Sequence, residues 1–222
     1  MAREASVAQF HGITLRTIAV SAMDNNVYLL TSRSTGSQVL IDAADEPEAI
    51  AALLRSAAED SPVETRLELI VTTHSHGDHV RALAALSAQH QMTTAAGAAD
   101  ALAIEARTGV PQVMLLHHGD TLTCGEVSLA VIGLRGHTPG SVALAYSEPR
   151  QPVQLFTGDS LFPGGVGNTQ GDPVRFTSLL DDVITRIFDT FPDDTVVHPG
   201  HGAATTLGRE RPALTAWRAR GW

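Results

Sequence analysis

Lysine is absent from this chain of 222 residues: all 15 basic residues are arginine, set against 24 acids, for a formal net charge of −9. Without lysine there is no Schiff base, no lysine nucleophile and no Walker-type phosphate loop. The acidic balance argues against nucleic acid as a partner, because phosphate backbones are bound by basic surfaces. Cysteine occurs once, at Cys124, which excludes an internal disulfide framework and any multi-cysteine zinc site. Its place in the patterned stretch TLTCGEVSLAVI suggests a buried structural thiol. Long apolar runs are missing too. None approaches the roughly 18 residues needed to cross a bilayer, and MAREASVAQFHGITLR lacks the apolar centre of a secretion signal. No membrane partner and a cytoplasmic location are therefore expected. What remains is 43% apolar and 18% charged, the balance of a soluble globular protein. The length suits a single domain spanning residues 1–222. Metal chemistry, if any, must rest on histidine and carboxylate.

Periodicity organises the chain. ITLRTIAV, NVYLLTS and QVLID read as successive strands separated by the turn-forming runs Met23 to Asn26 and Ser34 to Ser37. EPEAIAALLRSAAED reads as an amphipathic helix, with Pro47 in its first turn and Ile50, Leu53, Leu54 and Ala57 on one face. LELIVTT is a buried strand leading to a helix over VRALAALSAQH. A strand at MTTAA and a helix at AADALAIEAR follow, the latter closed by Gly109. The second half repeats this grammar: strands near TLTCG, VSLAVIGL, SVALAYS and VQLFTG, a helix over FTSLLDDVITRIFDTF, a strand at TVVH and a closing helix over ERPALTAWRAR. Two strand-rich halves ended by helices suggest two packed sheets with helices outside. FPGGVGNTQGDP, with four glycines and two prolines in twelve residues, reads as the longest irregular loop.

The chemistry concentrates where LELIVTT ends. THSHGDH places His74, His76, Asp78 and His79 within six positions. Alternation along an extended segment sends His74 and His76 to one side, and Asp78 and His79 fall in the following turn. Two histidines alone seldom hold a metal against water, so a closed ligand set needs partners from elsewhere. Three candidates lie downstream, each after an extended apolar run and beside glycine: His137 in RGHTPGS, Asp159 in FTGDSLF and His201 in HPGHG. His198 precedes the last turn and could orient a ligand by hydrogen bond. His11, His90, His117 and His118 lie outside these motifs.

THSHGDH, GHTPGS, GDSLF and PGHG, in this order and at these separations, resemble the four motifs of the metallo-β-lactamase superfamily. The resemblance implies an α+β fold, a four-layer αββα sandwich of two mixed sheets packed face to face with helices outside. It implies a binuclear site, with His74, His76 and His137 on one metal, Asp78, His79 and His201 on the second, and Asp159 bridging them. Asp78 is then also the catalytic carboxylate. Two divalent metals, zinc first and iron or manganese as alternatives, would lower the pKa of a bridging water and polarise a carbonyl. Hydrolysis by a metal-bridging hydroxide needs no protein nucleophile.

Within the superfamily, GDSLFPGGVGNTQGD and HPGHGAATTLGRERP look most like the compact glyoxalase II-like branch, the hydroxyacylglutathione hydrolases. The resemblance implies a small-molecule thioester, such as a hydroxyacyl thiol, as substrate. Relatives often read G-R-T-D after the GD-x-LF motif, with arginine available to a carboxylate of the thiol. Here Asn168 takes that place, and Arg175 is the nearby candidate for substrate binding. A persulfide dioxygenase with a single iron on His74, His137 and Asp159 is the alternative reading. A metal-binding protein without turnover is the third.

Overall fold

The computed structural model describes residues 4–221. In chain order the first half holds β1 (Ser6–Gln9), β2 (Ile13–Val20), β3 (Asn25–Ser32), β4 (Ser37–Ile41), α1 (Pro47–Glu59), β5 (Arg66–Thr72), α2 (Leu83–Gln89), β6 (Thr93–Gly97), α3 (Ala101–Thr108) and β7 (Met114–Leu116). The second half holds β8 (Thr121–Cys124), β9 (Val127–Gly133), β10 (Val142–Tyr146), β11 (Gln154–Gly158), the short hairpin β12 (Leu161–Phe162) and β13 (Gly165–Val166), α4 (Pro173–Val183), β14 (Val196–Pro199), β15 (Thr205–Thr206), α5 (Leu207–Glu210) and α6 (Leu214–Arg220). α4 runs on through a π turn, Ile184–Phe188.

The strands form one sheet in the order β1 to β7 and a second in the order β15-β14-β11-β10-β9-β8. β1 to β4 are a meander of antiparallel neighbours, whereas β4 to β7 pair in parallel. Parallel neighbours cannot be joined by a tight hairpin, so α1, α2 and α3 supply the crossovers. In the second sheet β11 and β14 are the parallel pair, joined through α4.

Alternation explains the layers. On β3, Leu30 enters the apolar cluster between the sheets, and its neighbour Leu29 joins the cluster beneath the first helices. Leu69 and Val71 face inward while Ile70 meets the helices. The second sheet does the same, with Val131, Leu144 and Phe156 inward and Ile132, Ala143 and Leu155 outward against Phe176, Leu179 and Trp217. Both faces of both sheets are covered, which gives the αββα sandwich expected from the motifs. Each buried leucine or phenylalanine contributes about 1.5–3 kcal/mol. Cys124 lies in the inter-sheet cluster, buried as its pattern implied. Among the described residues, no helix is long and apolar enough to cross a membrane.

Three local differences have physical causes. The helix expected from Val80 begins only at Leu83, because Gly77–His79 forms a 3-10 turn closed by Val80 N on Gly77 O, and the amides of Arg81 and Ala82 donate to Ala44 O and Ala43 O at 3.0 Å each. The closing helix is divided into α5 and α6 by a 3-10 turn containing Pro212. The glycine-rich loop is partly ordered as the β12–β13 hairpin.

Candidate metal centre

The four motif loops leave the C-terminal ends of β5, β9, β11 and β14, and the sandwich brings those ends together. Seven ligand-type side chains converge there in three overlapping groups: His74, His76 and His137; His74, His79 and Asp159; Asp78, His79 and His201. Within each group the ligand atoms lie within 4.8 Å of one another. Asp159 is central. Its Oδ1 lies 3.4 Å from His79 Nε2, and its Oδ2 lies 3.5, 3.6 and 4.0 Å from Nε2 of His201, His137 and His74. Asp78 Oδ2 lies 3.3 Å from His201 Nε2 and 3.6 Å from His79 Nε2.

Four of the five clustered imidazoles are oriented by their Nδ1 atoms. His137 Nδ1 meets Asn168 O at 2.8 Å, His201 Nδ1 meets Met23 O at 2.8 Å, and His79 Nδ1 meets Asp42 Oδ2 at 2.9 Å. Carbonyls and carboxylates only accept, so these Nδ1 atoms carry the proton in the neutral ring and Nε2 presents a lone pair to the centre. His74 Nδ1 follows the same rule one step removed: Thr73 Oγ1 donates to Asp42 Oδ2 at 2.8 Å and so accepts from His74 at 3.1 Å.

Whether these residues fit a metal can be judged from the atoms left over. His74 Nε2, His137 Nε2 and Asp159 Oδ1 are buried with no hydrogen-bond partner. Buried polar atoms are normally satisfied, and three orphans within one cluster of ligand-type side chains are what a cation site leaves when it holds no ion. Nitrogen and carboxylate oxygen suit zinc, iron or manganese alike. Electrostatics agree. Burial holds His74, His76 and His137 below the usual histidine range, so their rings are neutral, the form that can ligate a metal. Burial would raise Asp159, but the adjacent imidazoles of His201 and His79 outweigh it and keep the carboxylate ionised. His79 is pushed up to about 10: burial opposes its charge, and Asp42 and Asp159 outweigh burial. That proton sits where a cation would bind.

Several framing residues were not legible as functional in the sequence. Asp42, two per cent exposed at the end of β4, accepts from Thr73 N and Thr73 Oγ1 as well as His79, and holds a left-handed backbone (φ 59°) to do so. Asp100, one per cent exposed just before α3, accepts from Ser75 N at 2.8 Å, Gly140 N at 2.7 Å and Thr138 Oγ1 at 2.5 Å. One carboxylate thereby ties the loop of His74 and His76 to the loop of His137. Asn25, read from sequence as a turn residue, starts β3 and donates to Asp78 Oδ2 at 2.9 Å. Asn26 and Tyr28 dock the last motif through Pro199 O and Gly202 O. Gly200 in that motif has no room for a side chain, since a Cβ there would collide with Asp159 Oδ1 and His79.

Three sequence candidates do other work. His198 Nε2 bonds Gln154 Oε1 at 2.8 Å and its ring stacks on Phe156 at 5.0 Å, so it packs between the sheets and orients no ligand of the cluster. Alternation with Val197, which faces the outer helices, sends it there. The Asn168 side chain accepts from Gln170 N, and the residue serves the centre through its backbone carbonyl on His137. Arg175, in the first turn of α4, donates to Gly136 O at 2.8 Å and His137 O at 2.5 Å, bracing the His137 loop. His11, His90, His117 and His118 join no ligand group among the described residues.

The fold and its centre define a class, and sequence comparison agrees with it: the chain belongs to the metallo-β-lactamase superfamily, whose family model matches residues 21–201. Among its relatives, hydroxyacylglutathione hydrolase GloC of Haemophilus influenzae is 26% identical over 214 residues, covering 90% of this chain and 95% of that one. A crystal structure of TTHA1623 in a di-iron-bound form is 31% identical with a TM-score of 0.67, covering 88% of this chain and 96% of the other. The crystal structure of ETHE1 from Myxococcus xanthus is 26% identical with a TM-score of 0.73, covering 92% and 84%.

Proposed function

We propose that the protein is a metal-dependent hydrolase of a small thioester, a hydroxyacyl thiol being the favoured substrate. The observation that carries this reading is the central Asp159, whose two carboxylate oxygens contact histidines of both flanking triads. A bridge with a triad on each side suits two cations. His74, His76 and His137 would hold one, Asp78, His79 and His201 the other, with Asp159 shared. Divalent metals bound here would supply water activation near neutral pH and polarisation of the acyl carbonyl. Similarity to GloC and to the di-iron form of TTHA1623 supports both the thioester and the pair of metals.

The chain's own part is to orient. Asp42, Thr73, Asn168 O and Met23 O hold the rings with Nε2 inward, and such partners typically alter metal affinity or activity by about 10–100-fold. Asp78, braced by Asn25, is a ligand of the second triad and the carboxylate placed to accept a proton as water adds to the acyl carbon. The C–S bond then breaks, and the thiolate leaves and takes up a proton. No protein nucleophile is required.

A second reading rests on one trio. His74, His137 and Asp159, with Nε2-to-Oδ2 distances of 4.0 and 3.6 Å, could hold a single iron and serve a persulfide dioxygenase. That reading leaves Asp78, His79 and His201 converging to no purpose, so the hydrolase is preferred.

Elemental analysis and a small acyl-thiol panel test the choice. The hydrolase predicts about two metals per chain and thiol release from S-D-lactoylglutathione or an analogue. One iron per chain with oxygen uptake on glutathione persulfide would replace it by the dioxygenase. Two metals with no turnover of any thioester would favour the binding role.

A further inference from the structure

A cavity of about 280 Å³ opens beside the metal centre, lined by Gly77, Val80, Arg81, Ala84, Arg107 and Thr108. Gly77 is the residue between His76 and Asp78, so the cavity wall is one peptide away from a ligand of each proposed metal. Arg107 lies in the last turn of α3 and folds back over this turn: a Cβ on Gly77 would sit 3.4 Å from Arg107 Nη1 and 3.7 Å from its Cδ. These are contact distances, so the arginine lies directly against the turn. Arg81 faces the same space and is shared with Asp45 at 2.9 Å. The Arg107 guanidinium has no hydrogen bond or ion pair among the described residues.

Two features suit this cavity to an anion. Among the described residues no acidic side chain lines it, in a chain whose net charge is −9. Its free guanidinium also supplies a cation that the loop after Asp159 does not. The loop after Asp159 carries Asn168 and no arginine or lysine until Arg175, and Arg175 is committed to Gly136 O and His137 O. Arg220 also reaches this loop, donating to Gly164 O at 3.2 Å, so among the described residues the arginines that an anionic thiol would meet there are already engaged. Along the Gly77 turn it would meet Arg107, whose planar fork matches a carboxylate.

Resting on the thioester-hydrolase reading, we propose that Arg107, flanked by Arg81, binds a carboxylate of the thiol carrier and selects acyl thiols with an anionic carrier. The substrate then lies with its acyl carbon at the metals and its thiol portion across Gly77. Because Arg107 is solvent-exposed, the contact is modest, about tenfold in affinity, and weakens with salt.

Equilibrium binding tests this without requiring turnover. Metal-loaded wild type, Arg107→Ala and Arg107→Lys are titrated with S-methylglutathione and with its diethyl ester, whose carboxylates are masked. Wild type is expected to bind the diacid about tenfold more tightly than the diester; Arg107→Ala erases that difference, Arg107→Lys restores part of it, and metal content stays the same in all three. In turnover, Arg107→Ala raises KM for S-D-lactoylglutathione about tenfold and changes kcat less than twofold. Equal affinity of wild type for diacid and diester, or no loss in Arg107→Ala, overturns the proposal. If the diacid preference holds and depends on Arg107 but no thioester is hydrolysed, the hydrolase reading fails and the anion site stands.

Discussion

Replacing Asp100 probes how the centre is assembled from separate loops. Its carboxylate is one per cent exposed and accepts two backbone amides and one hydroxyl, from Ser75, Gly140 and Thr138. Hydrogen bonds to a charged acceptor are worth about 1.5–3 kcal/mol each, and buried donors left alone add a further desolvation cost. Thr138 Oγ1 can turn to Ser141 Oγ at 2.6 Å, so its loss is partly recovered. Asp100→Ala should therefore destabilise the metal-free protein by about 3–5 kcal/mol. Asp100→Asn keeps one acceptor oxygen but turns an NH2 toward a donor, and should cost about half as much. Urea denaturation of metal-free wild type and both variants measures this, with an unchanged m value confirming that the same structure unfolds. Because Asp100 joins the His74/His76 loop to the His137 loop, competition with a chelator should also reveal a metal affinity weakened by about 10–100-fold. Stability of Asp100→Ala within 1 kcal/mol of wild type, with metal affinity unaltered, would refute the claim that this carboxylate holds the loops together.

Three further outcomes are expected. Burial pushes the His198 pKa down to about 4, so between pH 6.5 and 4 the unfolded chain binds a proton that the folded one does not; stability contributed by the neutral ring is present above pH 6.5 and lost as pH falls, by about 3 kcal/mol at pH 4. His198→Phe should flatten that part of the stability profile relative to wild type, and an identical slope would show that the ring is not the titrating group. Gly200→Ala should keep the far-ultraviolet circular dichroism of wild type but lose metal on dialysis, since its methyl group drives Asp159 and His79 apart; two metals retained per chain would contradict the packing. The Cys124 thiol is pushed up to about 12, first by burial and then by Glu68, so native protein at pH 8 should alkylate at least about 100-fold more slowly than urea-unfolded protein.

Much of the fold could be read in advance because its signals are local. The strands ITLRTIAV and LELIVTT lie within a residue of β2 and β5, and Pro47 and Gly109 mark the start of α1 and the cap of α3 as expected. What escaped were pieces shorter than the period that would reveal them: β1, β7, β15 and the β12–β13 hairpin. The start of α2 escaped for another reason, since amides of Arg81 and Ala82 are captured by a loop some 37 residues earlier in the chain.

The ligand types, their order and their strand-end placement were determined by the sequence by itself, because alternation and glycine turns act over a few residues. The packing of distant strand ends and turns decided which partner each ligand-type residue meets. Asp42 reaches His79 across 37 positions, Asn25 reaches Asp78 across 53, and Met23 O reaches His201 across 178. Tertiary packing also separated residues that look alike on paper: His198, three positions before His201, turns into the sheet interface, and Arg175 braces a loop while Arg107 lies free beside the centre. Those assignments follow from which strand ends and helix turns are brought together, and contacts between distant segments leave no periodic trace in the chain that forms them.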